Sequence, residues 1–210
     1  MDVPFPGCLT DVAQLADHYR GPSKLVQRKK VGALDAPTRA FVEASPFVLV
    51  ATSDADGRCD VSPRGGAPGF VRVLDDRRLL VPDLNGNNLL DSLRNVVTNP
   101  HVGLLFVLPG RDETLRVDGR AWVSVDDGLR DRFTEVRRPA SVLCVEVESA
   151  FIHCAKSFRR GQVWEPESWA ATDAPGALEL LACHLELAEP LDPAAMERGY
   201  VADLAADRPE

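Results

Sequence analysis

Hydrophobic and polar positions change period near residue 45. Before it, apolar residues recur three and four apart. Val12, Leu15, Ala16 and Tyr19 form one helical stripe, which Thr10 can cap and Gly21-Pro22 ends. Residues 23–30 read as a short basic helix or turn, and Asp35-Ala36-Pro37 as an N-cap with an early proline, opening a helix through Phe41 and Val42. From Phe47 onward the period shortens. Residues 47–52 form a buried strand, residues 54–57 a turn, and residues 58–62 pair back as a hairpin. A second hairpin has Val71-Arg72-Val73 and Leu79-Leu80-Val81 as arms and Asp75-Asp76 in its turn. Leu89, Leu90, Leu93, Val96 and Val97 then take helical spacing, so a helix starts just after Asn88. Residues 101–108 are almost continuously apolar, the pattern of a strand covered on both faces. Residues 114–123 alternate, with Gly119 placed for a bulge, and residues 141–148 alternate too. At least six strands joined mostly by tight turns predict a mainly β fold with added helices, an antiparallel barrel either closed or split. We divide this single domain, residues 1–210, into a helical extension (1–44), a barrel core (45–165) and a C-terminal extension (166–210). The first extension is expected to cover one end of the barrel or an edge strand. In the last, residues 177–187 suit a helix or a strand, and residues 193–206 a terminal helix.

Composition narrows the function. The 210 residues are 45% hydrophobic, enough for one sizeable core. A formal net charge of -8 with no basic stripe argues against a nucleic-acid partner. No apolar run reaches membrane-spanning length, and Asp2 and Pro4 interrupt a signal-like start, so a cytoplasmic protein is expected. The five cysteines, Cys8, Cys59, Cys144, Cys154 and Cys183, are odd in number and form no CxxC pair, which fits reduced thiols. His153-Cys154 and Cys183-His184 lack partners at zinc-site spacing, so no metal is expected. The four histidines have no acidic partner at useful spacing, and no nucleophile–base constellation is visible.

Candidate chemistry gathers in residues 59–99. The second arm of the first hairpin runs into Ser62-Pro63-Arg64-Gly65-Gly66, a turn holding a hydroxyl and a cation. On the other flank of the second hairpin, Asn85-Gly86-Asn87-Asn88 precedes a helix. Unpaired N–H groups and the positive dipole end at a helix start suit an anion such as phosphate. The two flanks make a plausible cradle for a phosphorylated ligand; Gly-Asn clusters also serve simply as turns and caps. Near the C-terminal end of the core, Lys156, Arg159 and Arg160 on a short helix, followed by Trp164, suit either an anionic substrate or a solvated basic helix with the indole packed on the barrel.

The order of these segments, with SPRGGAPGF, PDLNGNN, NPHVGLLF and ETLRVDGRA, resembles the pyridoxamine 5'-phosphate oxidase-like FMN-binding split-barrel superfamily. It is nearest to a bacterial branch of FMN-dependent proteins of unassigned substrate, over residues 41–164. The resemblance implies an FMN cofactor lying along Ser62, Pro63, Arg64 and Gly65, with Asn87 and Asn88 at its phosphate and Thr114 and Arg116 near the ring or ribityl chain. Arg116 also suits a salt bridge on an exposed strand face. The superfamily's Ser-Arg-Lys-like phosphate grip is replaced here by Gly86-Asn87-Asn88, which can donate hydrogen bonds but carries no charge. That leaves Arg64, Arg94 or backbone N–H groups to supply positive potential. The resemblance further implies a homodimer with flavin at the interface and a small-molecule substrate met on the side of Lys156, Arg159 and Trp164. The C-terminal sequence does not match that of the B6-vitamer oxidase, which argues against oxidation of pyridoxamine phosphate itself. Readings left open are an FMN-dependent oxidoreductase, a flavin carrier, sensor or store, and a deazaflavin F420- or haem-binding relative. No GxGxxG turn is present, so a dinucleotide such as FAD is not expected.

Overall fold

The computed structural model describes residues 5–169, 174–187 and 191–209, so Asp2 and Pro4 fall outside it. The N-terminal extension holds a 3-10 turn (Val12–Gln14) and three helices: α1 (Leu15–His18), α2 (Lys24–Arg28) and α3 (Ala36–Ala44). Asp11 caps the first turn, accepting the Ala13 N–H at 2.9 Å, while the Thr10 N–H donates to Gln14. The cap therefore falls one residue later than expected. Neither this turn nor α1 or α2 buries a residue. The part that covers the barrel is α3. The Asp35 carboxylate accepts the Thr38 N–H at 2.9 Å and its hydroxyl at 2.6 Å, satisfying an orphan donor of the first turn. Those bonds, the hydroxyl first, hold the Asp35 carboxyl below its ordinary pKa. Leu34 and Val42 then reach the core.

Seven strands follow: β1 (Phe47–Ser53), β2 (Cys59–Gly65), β3 (Arg72–Val73), β4 (Arg78–Asp83), β5 (His101–Val107), β6 (Thr114–Ser124) and β7 (Ser141–His153). They form one antiparallel sheet ordered β2-β1-β5-β6-β7-β4-β3. The sheet curls without closing, leaving β2 and β3 as its edges: a split barrel. Its inner face carries Val48 and Val50, Leu79 and Val81, Leu104 and Phe106, Val117, and Val145 and Val147, all buried in one cluster. β5 is not covered equally on both faces: Val102, Leu104 and Phe106 are buried, whereas Gly103 and Leu105 are half-buried. β7 runs past the expected Glu148 to His153 because Ala150, Phe151 and Ile152 continue to pair with β6.

Between Asp118 and Gly119 the β6–β7 register shifts, as the glycine signalled. A Cβ on Gly119 would lie 2.0 Å from the Glu146 carbonyl oxygen, so this close backbone approach admits only glycine. α4 (Asp91–Thr98) crosses the open side. It is fastened by side chains: the Asn95 amide donates to Thr52 Oγ1 at 3.0 Å, Asn99 donates to Ser53 Oγ at 3.0 Å, and the buried Ser92 hydroxyl donates to Asp60. α5 (Asp127–Arg130), α6 (Lys156–Arg160), α7 (Ala177–His184) and α8 (Pro193–Ala206) complete the described chain. Residues 177–184 are thus a helix rather than a strand, and neither α7 nor α8 buries a residue. No described helix is long and apolar enough to cross a membrane.

Candidate functional site

The open seam between β2 and the β4–α4 loop forms a cavity of about 460 Å³. β2 lies in register with β1, so Val48, Val50 and Thr52 stand opposite Arg64, Ser62 and Asp60. Strand alternation then divides the predicted quartet: Ser62 and Arg64 are half-buried on the inner side, while Pro63 and Gly65 face outward. All four line the cavity along the free edge of β2, and Asn87 and Asn88 line it from the opposite loop. Two sequence segments more than twenty residues apart therefore meet, as the cradle requires. Phe70, Leu84, Leu89 and Leu90 add apolar surface.

The helix start differs from expectation. Asn88 (φ 56°) and Leu90 (φ 61°) take the left-handed conformation, so α4 begins at Asp91, three residues beyond Asn88. Asparagine tolerates that region, whereas a bulky leucine there is strained. Leu90 makes no side-chain cap, and Asp91 places a carboxylate at the positive end of the helix dipole.

Several residues of the seam were not singled out from sequence. Asp83 accepts from Arg64 at 3.2 Å, an ion pair that bridges the unpaired edge of β2 to β4, with the side chains 26% and 16% exposed. Asp60 holds Ser92. Its place two residues before Ser62, in an alternating strand, was the available signal. The Asn85 N–H donates to Asp207 Oδ1 at 3.0 Å, and the Asn85 amide donates to Asp203 Oδ1 at 3.3 Å. Those two carboxylates come from the last turn of α8 and the residue that caps it. A carboxylate pair four apart at a helix C-terminus is disfavoured by mutual repulsion and by the dipole unless something receives it.

A bound FMN would need donors for its phosphate and apolar surface for its ring. The donors are present in the Asn85 backbone N–H, the Asn87 and Asn88 amides, Ser62 and Arg64, and the Asn85 N–H already receives an anion, the Asp207 carboxylate. Phe70, Leu89 and Leu90 supply the apolar surface. The residues therefore fit the cofactor in kind. Their charge is lopsided: Asp60, Asp83, Asp91 and Asp207 line the cavity against the single cation Arg64. Arg94, the other candidate, is exposed on α4 and is not among the lining residues.

Thr114 and Arg116 do not join this cavity. Thr114 is buried, and Arg116 is exposed on β6, donating to Asp118 at 2.7 Å and lying over the Phe151 ring, so the salt bridge expected of it forms. Lys29 and Lys30 lie over the same ring, beside a second depression of about 270 Å³ floored by Phe41, Leu115 and Phe151. The substrate-side residues stand near the start of β6. Arg159 donates to Asp112 at 2.8 Å, and the Trp164 indole N–H donates to the Arg111 carbonyl at 2.8 Å while packing on Phe158. Lys156 is exposed. Among the described residues no His, Cys, Asp and Glu cluster able to hold a metal is formed. All five cysteines are unpaired, and burial followed by the nearby Asp126 charge pushes the Cys144 thiol pKa up.

No curated protein matches the chain. Among crystal structures, the chain is similar to HupZ of Group A Streptococcus (19% identity, TM-score 0.47, covering 56% of this chain and 92% of that one). It is also similar to an FMN-binding protein of Syntrophomonas wolfei (9%, 0.43, 55% and 83%) and to HutZ, the heme storage protein of Vibrio cholerae (18%, 0.40, 57% and 94%). The sequence profile of the pyridoxamine 5'-phosphate oxidase family matches residues 34–154, more than half of the chain. With that match over the barrel just described, the chain belongs to the pyridoxamine 5'-phosphate oxidase family.

Proposed function

We propose that this protein binds FMN in the seam cavity and acts as a flavin-dependent oxidoreductase on a small molecule in the cytoplasm. The observation that carries the reading is the meeting of the inward Ser62 and Arg64 with the Asn85–Asn88 turn in a chain of this family. The Asn85 to Asn88 backbone and amide groups would hold the phosphate, and Arg64, held by Asp83, would contribute the positive charge. Ser62 would face the ribityl or ring edge, and Phe70, Leu89 and Leu90 would lay apolar surface against the ring. When bound, FMN supplies the two-electron redox centre itself, which is why the site needs no protein nucleophile.

The working unit in this reading is a homodimer. On the outer face of the sheet, Val61 and Pro63 of β2 flank Ala51 and Leu49 of β1, which flank Gly103 and Leu105 of β5. Val61 is 60% exposed, and this continuous apolar strip suits a second copy of the chain. Arg116, exposed on β6, then serves the flavin of the partner, while the buried Thr114 stays within its own chain. Lys156, Arg159 and Trp164, near the start of the same strand, meet an anionic group on the substrate.

Anaerobic addition of NADH or NADPH to the FMN-loaded protein tests turnover. We expect bleaching of the bound flavin faster than of free FMN, reversed by oxygen. Bound flavin reduced no faster than free FMN by either donor would contradict the enzymatic reading and leave a carrier, sensor or store.

A further inference from the structure

We propose that the C-terminal helix α8 is a displaceable anion plug for the phosphate seat, with Asp207 and Asp203 as the residues that set how strongly a phosphorylated ligand is preferred. The inference rests on the flavin reading of the seam and adds a regulation of that site. Asp207 and Leu204 both line the cavity. The Asp207 carboxylate accepts the Asn85 N–H, and Asp203 accepts the Asn85 amide, so the donors that open the Asn85–Asn88 turn are already committed to anions of the same chain. A third bond, the Arg137 N–H to the Asp207 carbonyl at 2.7 Å, ties the end of α8 to the segment before β7.

The rest of the helix is held weakly. α8 buries no residue, Leu204 is 70% exposed, and Tyr200 and Val201 also face solvent. A helix attached through a few solvent-accessible polar bonds belongs to the readily opened part of a structure. The placement of its two carboxylates at the negative end of the helix dipole costs helix stability in isolation. Docking on Asn85 offsets that cost and gives the pair a role. Two like charges cannot share one set of N–H donors, so a phosphate entering the turn must move Asp207 out. A ligand without phosphate, such as riboflavin, meets the ring surface of the cavity and leaves the plug in place.

The test is fluorescence titration of the 210-residue protein and its D203A/D207A variant with FMN and with riboflavin, together with hydrogen exchange of residues 199–208. Asp203 is exposed and Asp207 half-buried at the docked end of α8, and neither belongs to the barrel core, which the change leaves untouched. Removing the plug is expected to tighten FMN roughly tenfold, the scale of one hydrogen bond to a charged group, and to leave riboflavin unchanged. FMN added to the unaltered protein is expected to speed exchange in α8. Equal FMN affinity in the two proteins, with α8 exchange unmoved, would overturn the plug while the flavin site stands. A gain that is the same for riboflavin would overturn its phosphate specificity. Failure of both proteins to bind FMN would overturn the flavin reading and the plug together.

Discussion

Arg64 is the residue on which the charge of the site turns. It is the single cation among the lining residues and is half-buried against Asp83. Arg64→Ala is therefore expected to weaken FMN binding by about 1.5–3 kcal/mol, the range for hydrogen bonds to charged groups, as read by equilibrium titration. An unchanged dissociation constant would make Arg64 a strut of the seam and nothing more. Sequence reasoning reached Ser62, Arg64, Asn87 and Asn88 because turn-forming and charged residues stand out between apolar runs. It passed over Asp60 and Asp83, and over the α8 carboxylates that Asn85 meets, because these roles depend on partners in other segments. The Asn85–Asp207 bond joins positions 122 residues apart, and nothing local to either marks it. It also treated Ser62 to Gly65 as one surface, although in a strand with one side turned inward alternate residues must part.

At the level of elements, the bulge in β6 is the sharpest case. Gly119→Ala would drive a methyl group into the Glu146 carbonyl, a backbone atom with no easy retreat. We expect a loss of roughly 2–3 kcal/mol in denaturant unfolding, at the upper end of overpacking costs; an unaltered midpoint would show that β6 and β7 can re-register. This glycine was legible because it interrupts a long alternating strand. The strands themselves were legible for the same reason, since an inner face of Val, Leu and Phe leaves a two-residue period in the sequence. Strand ends were less so: β7 continues past the charged Glu148 on the strength of pairing with β6. The start of α4 was misplaced because Asn88 and Leu90 adopt left-handed conformations that local pattern does not reveal. The N-terminal stripe of Val12, Leu15 and Tyr19 makes a turn and a short helix yet stays exposed among the described residues, because amphipathic spacing reports helix without naming its partner.

For the whole molecule, the division of the candidate groups between separate places is the main consequence. Arg64 and the Asn85–Asn88 turn share one cavity, while Arg116, Lys29 and Lys30 crowd the Phe151 ring elsewhere. A dimer across the apolar outer strip would give each flavin a cation set from both chains and balance the carboxylates of the seam. Light scattering on the flavin-loaded protein is expected to report twice the 22.9 kDa chain mass; a mass near 22.9 kDa with flavin bound one to one would contradict a shared site. Beneath both expectations lies the claim that the seam holds a flavin mononucleotide. Mass spectrometry of the small molecule released from the purified protein tests it most directly. The account predicts FMN at one equivalent per chain, and release of haem, deazaflavin F420 or FAD in its place would contradict it.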